Sequence, residues 1–455
     1  MSSELDALHT QIARLERDIG LQREVLRKLE QEQSLCKRRL NDALDPISRL
    51  PRELSSEIFL QTLDSIPEPG ITRAPIQLLS VCNTWTDIAL AIPYLWCNIH
   101  IDFPAFARTW NQKQLLPIWL ERANGQPLSI WLRGFVDSNV MAILWEHAHQ
   151  LKRLDIYLPT DHPHYYSEME LWTTGSPPGP LMSLETLTIR GERDLRDGRA
   201  VLPISRPHLL ELFGLAPNLV DCHFKSARIS PIRAPSFGGY TVLPSLRHLT
   251  IGESGKPPTG SEDDLLKYLS LPSLEVLSTP LTSSNPKDVI FFLQRSSPPL
   301  SGLALSANLS IAELVACLGQ LPDLVRLELW DVGERTEEFL TAILQSSSLV
   351  PHLVDLFIQF VPGPYETLDF VPFWNGLLTV LSALRHKLRA FQLEMRSFWN
   401  PKLVPGPDVL TALEEFAMDG LKIQITLEMS VDRSQWRSHL VDLPVEAKIS
   451  CDSYI

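Results

Sequence analysis

Apolar residues recur in alternating steps of three and four along the start of the chain. Leu5, Ile12, Ile19, Leu26, Gln33 and Leu40 share one heptad position, and Leu8, Leu15, Gln22, Leu29, Cys36 and Ala43 share the other. The positions between are mostly charged or polar and include no proline, the pattern of a coiled coil. Residues 1–44 are therefore predicted as one helix, a rod of roughly 60 Å. A helix with such a stripe is marginal alone in water. The pattern thus predicts self-association into a homodimer, with a helix folded back on the body as the alternative. Ile at one seam position and Leu at the other favours a parallel pair, and Gln22 and Gln33 weaken the seam while fixing its register.

The next stretch, residues 45–97, changes period. Pro51 stands where a helix can start without losing a hydrogen bond. Leu50, Leu54 and Ile58 then recur at i, i+4 and i+8 beside Phe59, which makes one apolar stripe. After a loop bearing Pro67 and Gly70, Leu78, Leu79, Val81, Cys82 and Trp85 cluster, and Ile88, Ala89, Leu95 and Trp96 extend the apolar surface. The expectation is a small helical bundle with more apolar surface than so short a segment needs for itself.

From residue 151 a third pattern takes over: apolar, two residues, apolar, one residue, apolar. It reads LKRLDI (151–156), LETLTI (184–189), LVDCHF (219–224), LRHLTI (246–251), LEVLST (274–279), LSGLAL (300–305), LVRLEL (324–329), LVDLFI (353–358), LRAFQL (388–393) and LEEFAM (413–418). LEVLST departs from it at Thr279. Copies start 24 to 35 residues apart, a period that marks a repeat architecture. Helical spacing appears between copies at 262–269, 288–294, 311–318 and 336–344, and LKIQITLEM (421–429) reads as a final strand. Strand then helix, repeated, predicts a parallel sheet inside and helices outside. Residues 98–150 read as a cap on this array, with LWCNIHID and LSIWLRG as strands and a helix over about 105–123 between them. The fold class is α/β, with domains at 1–44, 45–97, 98–150 and 151–455.

Charge and chemistry narrow the function. The first 49 residues are charge-balanced, so the net charge of −13 lies in the remainder. An acidic surface repels phosphate and argues against nucleic acid. Phe370–Leu384 is the most apolar stretch, too short and too interrupted by Pro372, Asn375 and Gly376 to cross a membrane. Six scattered cysteines form no CxxC, so a reducing cytoplasmic or nuclear setting is expected. Phosphate loops, nucleophile elbows and HExxH are absent. The pairs His147/His149 and His162/His164 lack a convincing third ligand, and Cys222 and His223 are strand neighbours facing opposite ways. No enzyme, cofactor or metal is expected.

Between the apolar repeat positions lie side chains for the concave face. Tyr157, Trp330 and Phe357 are large rings at positions expected to be wet, accompanied by Arg190 and Arg326. Aromatics with arginine are typical interface anchors, so these five residues are the candidate surface for a protein substrate. Trp330 and Phe357 are expected on adjacent strands with rings roughly 5–8 Å apart.

Residues 46–97 resemble the F-box, through LPRELSSEIF, LLSVCNTW and YLW in that order, and look particularly like the large F-box families of mushroom-forming fungi. The spacer, residues 64–77, is longer than in the family pattern. The resemblance implies docking onto the Skp-family adaptor of a cullin–RING ubiquitin ligase. It assigns the adaptor contacts to Leu50, Pro51, Leu54, Ile58, Phe59, Leu79, Val81, Cys82 and Trp85. Residues of about 150–420 resemble an irregular leucine-rich-repeat solenoid, which would hold the substrate. The alternative reading is a coiled-coil-linked repeat scaffold with no ubiquitin role.

Overall fold

The computed structural model describes residues 2–63, 75–103, 110–134, 138–158, 179–191, 202–225, 227–230, 239–252, 265–279, 286–306, 310–332, 336–345, 350–360, 370–398, 405–432 and 435–440. Contacts divide the chain into two compact units. The first runs to Asp102 and includes Trp110–Ile130; the second holds most of the rest, from Trp131 onward. The division falls inside the segment expected as a cap rather than at either of its ends.

In the first unit, α1 (Ser2–Leu44) is one uninterrupted helix. A short 3-10 turn at Ile47–Arg49 leads to α2 (Arg52–Leu60), followed by α3 (Ile76–Leu79) and α4 (Asn83–Leu90). Pro51 sits at the head of α2, where its missing N–H costs nothing. A second 3-10 turn, Pro93–Trp96, feeds β1 (Asn98–Phe103), α5 (Trp110–Arg122) and β2 (Leu128–Gly134). The core of the helical module gathers Phe59, Leu78, Cys82, Ala89, Leu95 and Trp96. Phe59 and Trp85 pack with ring centroids 5.0 Å apart and planes tilted by 47°. The indole N–H of Trp96 donates to the carbonyl of Ala89 at 3.0 Å, satisfying a polar atom that burial would otherwise penalise.

In the second unit, α6 (Ser138–Glu146) precedes β3 (Leu151–Leu158) and β4 (Thr186–Gly191). Next come β5 (Leu202–Ser205), α7 (Arg206–Leu215), β6 (Asp221–Lys225), β7 (Ala227–Ser230), β8 (Thr241–Val242) and β9 (His248–Ile251). Then follow β10 (Leu269–Ser270), β11 (Val276–Thr279), α8 (Pro286–Ser296), β12 (Gly302–Ser306), α9 (Ile311–Leu318), β13 (Arg326–Val332) and α10 (Thr336–Gln345). The chain continues through β14 (Asp355–Phe360), α11 (Phe370–Leu384), β15 (Ala390–Phe398), α12 (Pro407–Met418), β16 (Lys422–Asp432) and β17 (Gln435–Leu440).

The strands β3-β4-β6-β9-β11-β12-β13-β14-β15-β16 lie side by side in that order, and β17 closes on β16. All pairings up to β16 are parallel and β17 is antiparallel. The register puts equivalent pattern positions directly beside one another. Leu154, Leu187, Cys222, Leu249, Leu277, Leu303, Leu327, Leu356, Phe391 and Ile423 form one buried row. Two residues on, Ile156 to Ile425 form a second, in which Thr279 takes its place and is also buried. A one-residue slip in any strand would turn both rows to the other face, so burial fixes the register. Helices cover the apolar face. On β14, Phe360 meets Phe370 and Phe373 of α11 at 5.9 and 5.6 Å.

A tight turn delivers five of these ten strands. Leu181–Leu184, Ala216–Leu219, Leu271–Leu274, Leu321–Leu324 and Val350–Leu353 each close with an N–H to carbonyl bond of 3.1 to 3.3 Å. Four of the five carry proline second (APNL, LPSL, LPDL, VPHL), the position whose φ proline pre-sets. Both apolar ends of every turn are buried. In these five copies the leucine that opens the pattern therefore belongs to a turn that buries and anchors it.

Two expectations need correction. LEEFAM (413–418) is not a strand: it is the end of α12, where Leu413 and Phe416 bury three residues apart on one helical face. Gly406 and Pro407 start that helix, and Gly420 ends it with φ +97°, leaving LKIQIT to supply the tenth parallel strand. The helix expected at 262–269 is, where described, a 3-10 turn at Leu265–Tyr268 running into β10. His162 and His164 lie outside the described residues.

Candidate functional site

Two surfaces carry the residues expected to bind partners. The first is on the helical module. Leu50, Leu54 and Ile58 are 39, 54 and 43% exposed, and Pro51 is exposed beside them. Leu54 and Ile58 are four apart on α2, so they share a face that turns away from the core-facing Ser55 and Phe59. Large apolar side chains seldom stay wet together without a use.

The other five expected adaptor contacts are placed differently. Phe59 and Cys82 are fully buried and build the module's own core. Leu79, Val81 and Trp85 are half-buried. The backbone around them is already taken by the end of α1: the Arg38 guanidinium donates to the carbonyl of Leu79, and Asn41 Nδ2 donates to that of Val81 at 2.9 Å. Asp42 accepts from the hydroxyl of Thr84 at 2.8 Å and from its N–H at 3.3 Å. Those bonds hold the Asp42 carboxyl below its ordinary range. Burial pushes the Cys82 thiol up, away from any nucleophilic role. Three short helices and two 3-10 turns cannot expose every apolar residue and keep a core, so the displayed part of the expected contact set contracts to Leu50, Pro51, Leu54 and Ile58.

The second surface is the polar face of the parallel sheet. The five candidate residues do not form one patch there. Tyr157 and Arg190 are cross-strand neighbours on β3 and β4. Arg190 reaches back in a fork to Asp155, with bonds of 3.1 and 2.7 Å. The guanidinium of Arg133 lies 5.1 Å from the centre of the Tyr157 ring. Arg326, Trp330 and Phe357 sit on β13 and β14, five strand spacings from β4, or about 24 Å.

Trp330 and Phe357 do meet, with ring centroids 4.5 Å apart and planes at 37°. They are closer than expected, and Trp330 is only 3% exposed. The indole lies down on Phe357, and its N–H donates to Glu328 at 3.2 Å. Glu328 also accepts from Arg326 at 2.7 Å. Stacking two rings removes more apolar area from water than displaying them. Trp330 is therefore packing, and Phe357 is half-covered.

Sequence reading missed what lies beside this pair. On β11 and β12 the polar face carries only small side chains, Val276, Ser278, Gly302 and Ala304. With Arg326 and Glu328 at its side they line a depression of about 480 Å3. A Cβ at Gly302 would already touch the methyls of Val276 at 3.4 Å. The signal was available in the sequence: VLST and GLAL are the two pattern copies whose intervening residues are small. Further along the face His223 bonds Thr250 at 3.1 Å and His248 bonds Asp221 at 2.5 Å. Burial, then Lys225, lowers the pKa of His223. Cys222 is wholly buried on the opposite face.

Among the described residues, no cluster of three or more His, Cys, Asp or Glu is placed to hold a metal ion, and no helix is long and apolar enough to cross a membrane. No protein-family model matches the chain, and no curated protein matches it.

Proposed function

We propose that the chain is the substrate-recognition subunit of an SCF-type cullin–RING ubiquitin ligase. It binds the Skp-family adaptor through its F-box-like module and a protein substrate through an irregular leucine-rich-repeat-like domain, and it carries out no catalytic step itself. The exposed run Leu50–Pro51–Leu54–Ile58, on a module whose core is complete without it, is the observation that carries this reading. Each such side chain gains about 1.5–3 kcal/mol on full burial, which a flat apolar partner surface supplies and water does not. The in-register strands and their buried turns support the repeat-domain reading. The substrate belongs on the polar face, over the small-residue floor at Val276–Ala304, with Arg326 and Glu328 at its rim in place of an aromatic anchor.

The test is co-purification of the full chain with a Skp-type adaptor. Wild type is expected to form a stable complex. Leu54→Asp with Ile58→Asp buries two unpaired carboxylates at the contact, at about 3 kcal/mol or more, a loss of at least about a hundredfold in affinity. Because both positions are exposed in the free chain, the variant's own stability should change by only about 0.5 kcal/mol. A wild-type chain that captures no adaptor leaves the scaffold reading instead.

A further inference from the structure

We propose that α1 is half of a parallel, in-register, two-stranded coiled coil, and that a second copy of this chain covers its seam. This goes beyond the adaptor reading and does not rest on it. Leu8, Ile12, Leu15, Ile19, Leu26, Leu29 and Leu40 are 49 to 59% exposed along the helix. Among the described residues of the first unit, none covers them.

The placement of the module on α1 is the first argument for a second copy. The residues that hold the module, Arg38, Asn41 and Asp42, lie on the side of the helix away from the seam. The ion pair Glu24–Arg27 (2.6 Å) also lies on that outer side. The module grips the polar back of the helix and leaves the seam open to its last turn, with Leu40 59% exposed.

The charges flanking the seam supply the second argument, and they choose the register. In a parallel coiled coil each residue just before the first seam position faces, on the other helix, the residue five places on. In register, Asp18 meets Arg23 of the second copy and Glu32 meets Lys37, while Gln11, Val25 and Arg39 meet no like charge. A slip of one heptad sets Asp18 against Glu16 or Glu30, Glu32 against Glu30, and Arg39 against Lys37. In register, too, Gln22 and Gln33 each face their own copy and can pair amides, whereas a slip sets each amide against Leu. An antiparallel pairing with Gln22 opposite Gln33 also matches charges, but it strands Leu8 beyond the end of the other helix. Ile12 and Ile19 at one seam position with Leu8, Leu15 and Leu29 at the other further favour the parallel pair.

The parallel register brings Cys36 opposite its own copy, within the about 4.4–6.8 Å between Cα atoms that a disulfide spans. Cys36 is exposed, whereas the other described cysteines are buried. In the antiparallel pairing it would face Ile19 and lie about 25 Å from the other Cys36. The experiment uses the full chain. Sedimentation under reducing conditions should give twice the 51.4 kDa chain mass. Ile12→Asp with Ile19→Asp should halve it. Copper–phenanthroline oxidation should link the dimer covalently, and Cys36→Ser should abolish the link without changing the sedimentation mass. A monomeric wild type overturns the proposal. So does a dimer that cross-links only after Ile19→Cys is added, the antiparallel outcome, or a larger oligomer.

Discussion

Trp330 illustrates how one side chain can sit on the face expected for binding and still serve packing. Its alternation with Leu329 puts it on the polar side of β13. Phe357 is one strand over and one pair along, close enough for the rings to stack at 4.5 Å. Removing a buried aromatic costs about 3–5 kcal/mol. Trp330→Ala is accordingly expected to lower the chemical denaturation midpoint clearly, whereas Arg326→Ala, at a side chain 55% exposed, should leave it nearly unchanged. Equal midpoints for Trp330→Ala and wild type would return this ring to the candidate binding surface.

Elements in the repeat region are secured by side chains that local patterns do not reveal. Arg295, in the last turn of α8, donates to the carbonyl of Leu266 at 2.7 Å and to that of Leu269 at 3.0 Å. Its guanidinium also lies 4.2 Å from the centre of the Tyr240 ring. One planar fork thereby ties α8, the 3-10 turn and β10 together, a geometry that lysine's point charge cannot copy. Hydrogen bonds to a charged donor contribute about 1.5–3 kcal/mol. Arg295→Lys is expected to lose much of that, read as a lower thermal midpoint and faster amide exchange at Leu269–Leu271. Unchanged exchange there would mean that the turn holds itself. Nearby, α9 carries a complete capping box, Ser310 with Glu313, a signature written wholly in local sequence.

At the scale of the whole molecule, three surfaces are assigned to three tasks: the seam of α1, the stripe of the helical module, and the polar face of the sheet. Their residues do not overlap. The Ile12→Asp, Ile19→Asp variant should still co-purify with the adaptor, with its affinity changed by less than about threefold per site. The Leu54→Asp, Ile58→Asp variant should still sediment as a dimer. If breaking the seam also abolishes adaptor capture, the end of α1 positions the module rather than merely gripping it. The Arg38, Asn41 and Asp42 bonds would then be the coupling to dissect.

Whatever rests on period could be read from the chain alone. Steps of three and four dictated α1, nine copies of one short pattern dictated the strands from β3 to β15 of the long row, and the alternation in LKIQITLEM dictated β16. In each, a fixed spacing decides which side chains share a face, whatever the neighbours are. The same copies placed Cys222 and His223 on opposite faces. Tertiary structure decided the rest, because burial depends on what arrives from elsewhere in the chain. LEEFAM fits the strand pattern, yet the burial of Leu413 and Phe416 on one helical face makes it the end of α12. Phe59 belongs to the same apolar run as Leu54 and Cys82 to the next one, but only the meeting of α2 and α4 sends those two inside. The depression at Val276–Ala304 lies where four small residues from two consecutive repeats are set side by side by their register, with Arg326 and Glu328 of the next strand beside them. The pattern made those repeats neighbours; which side chains rim the space was settled by packing.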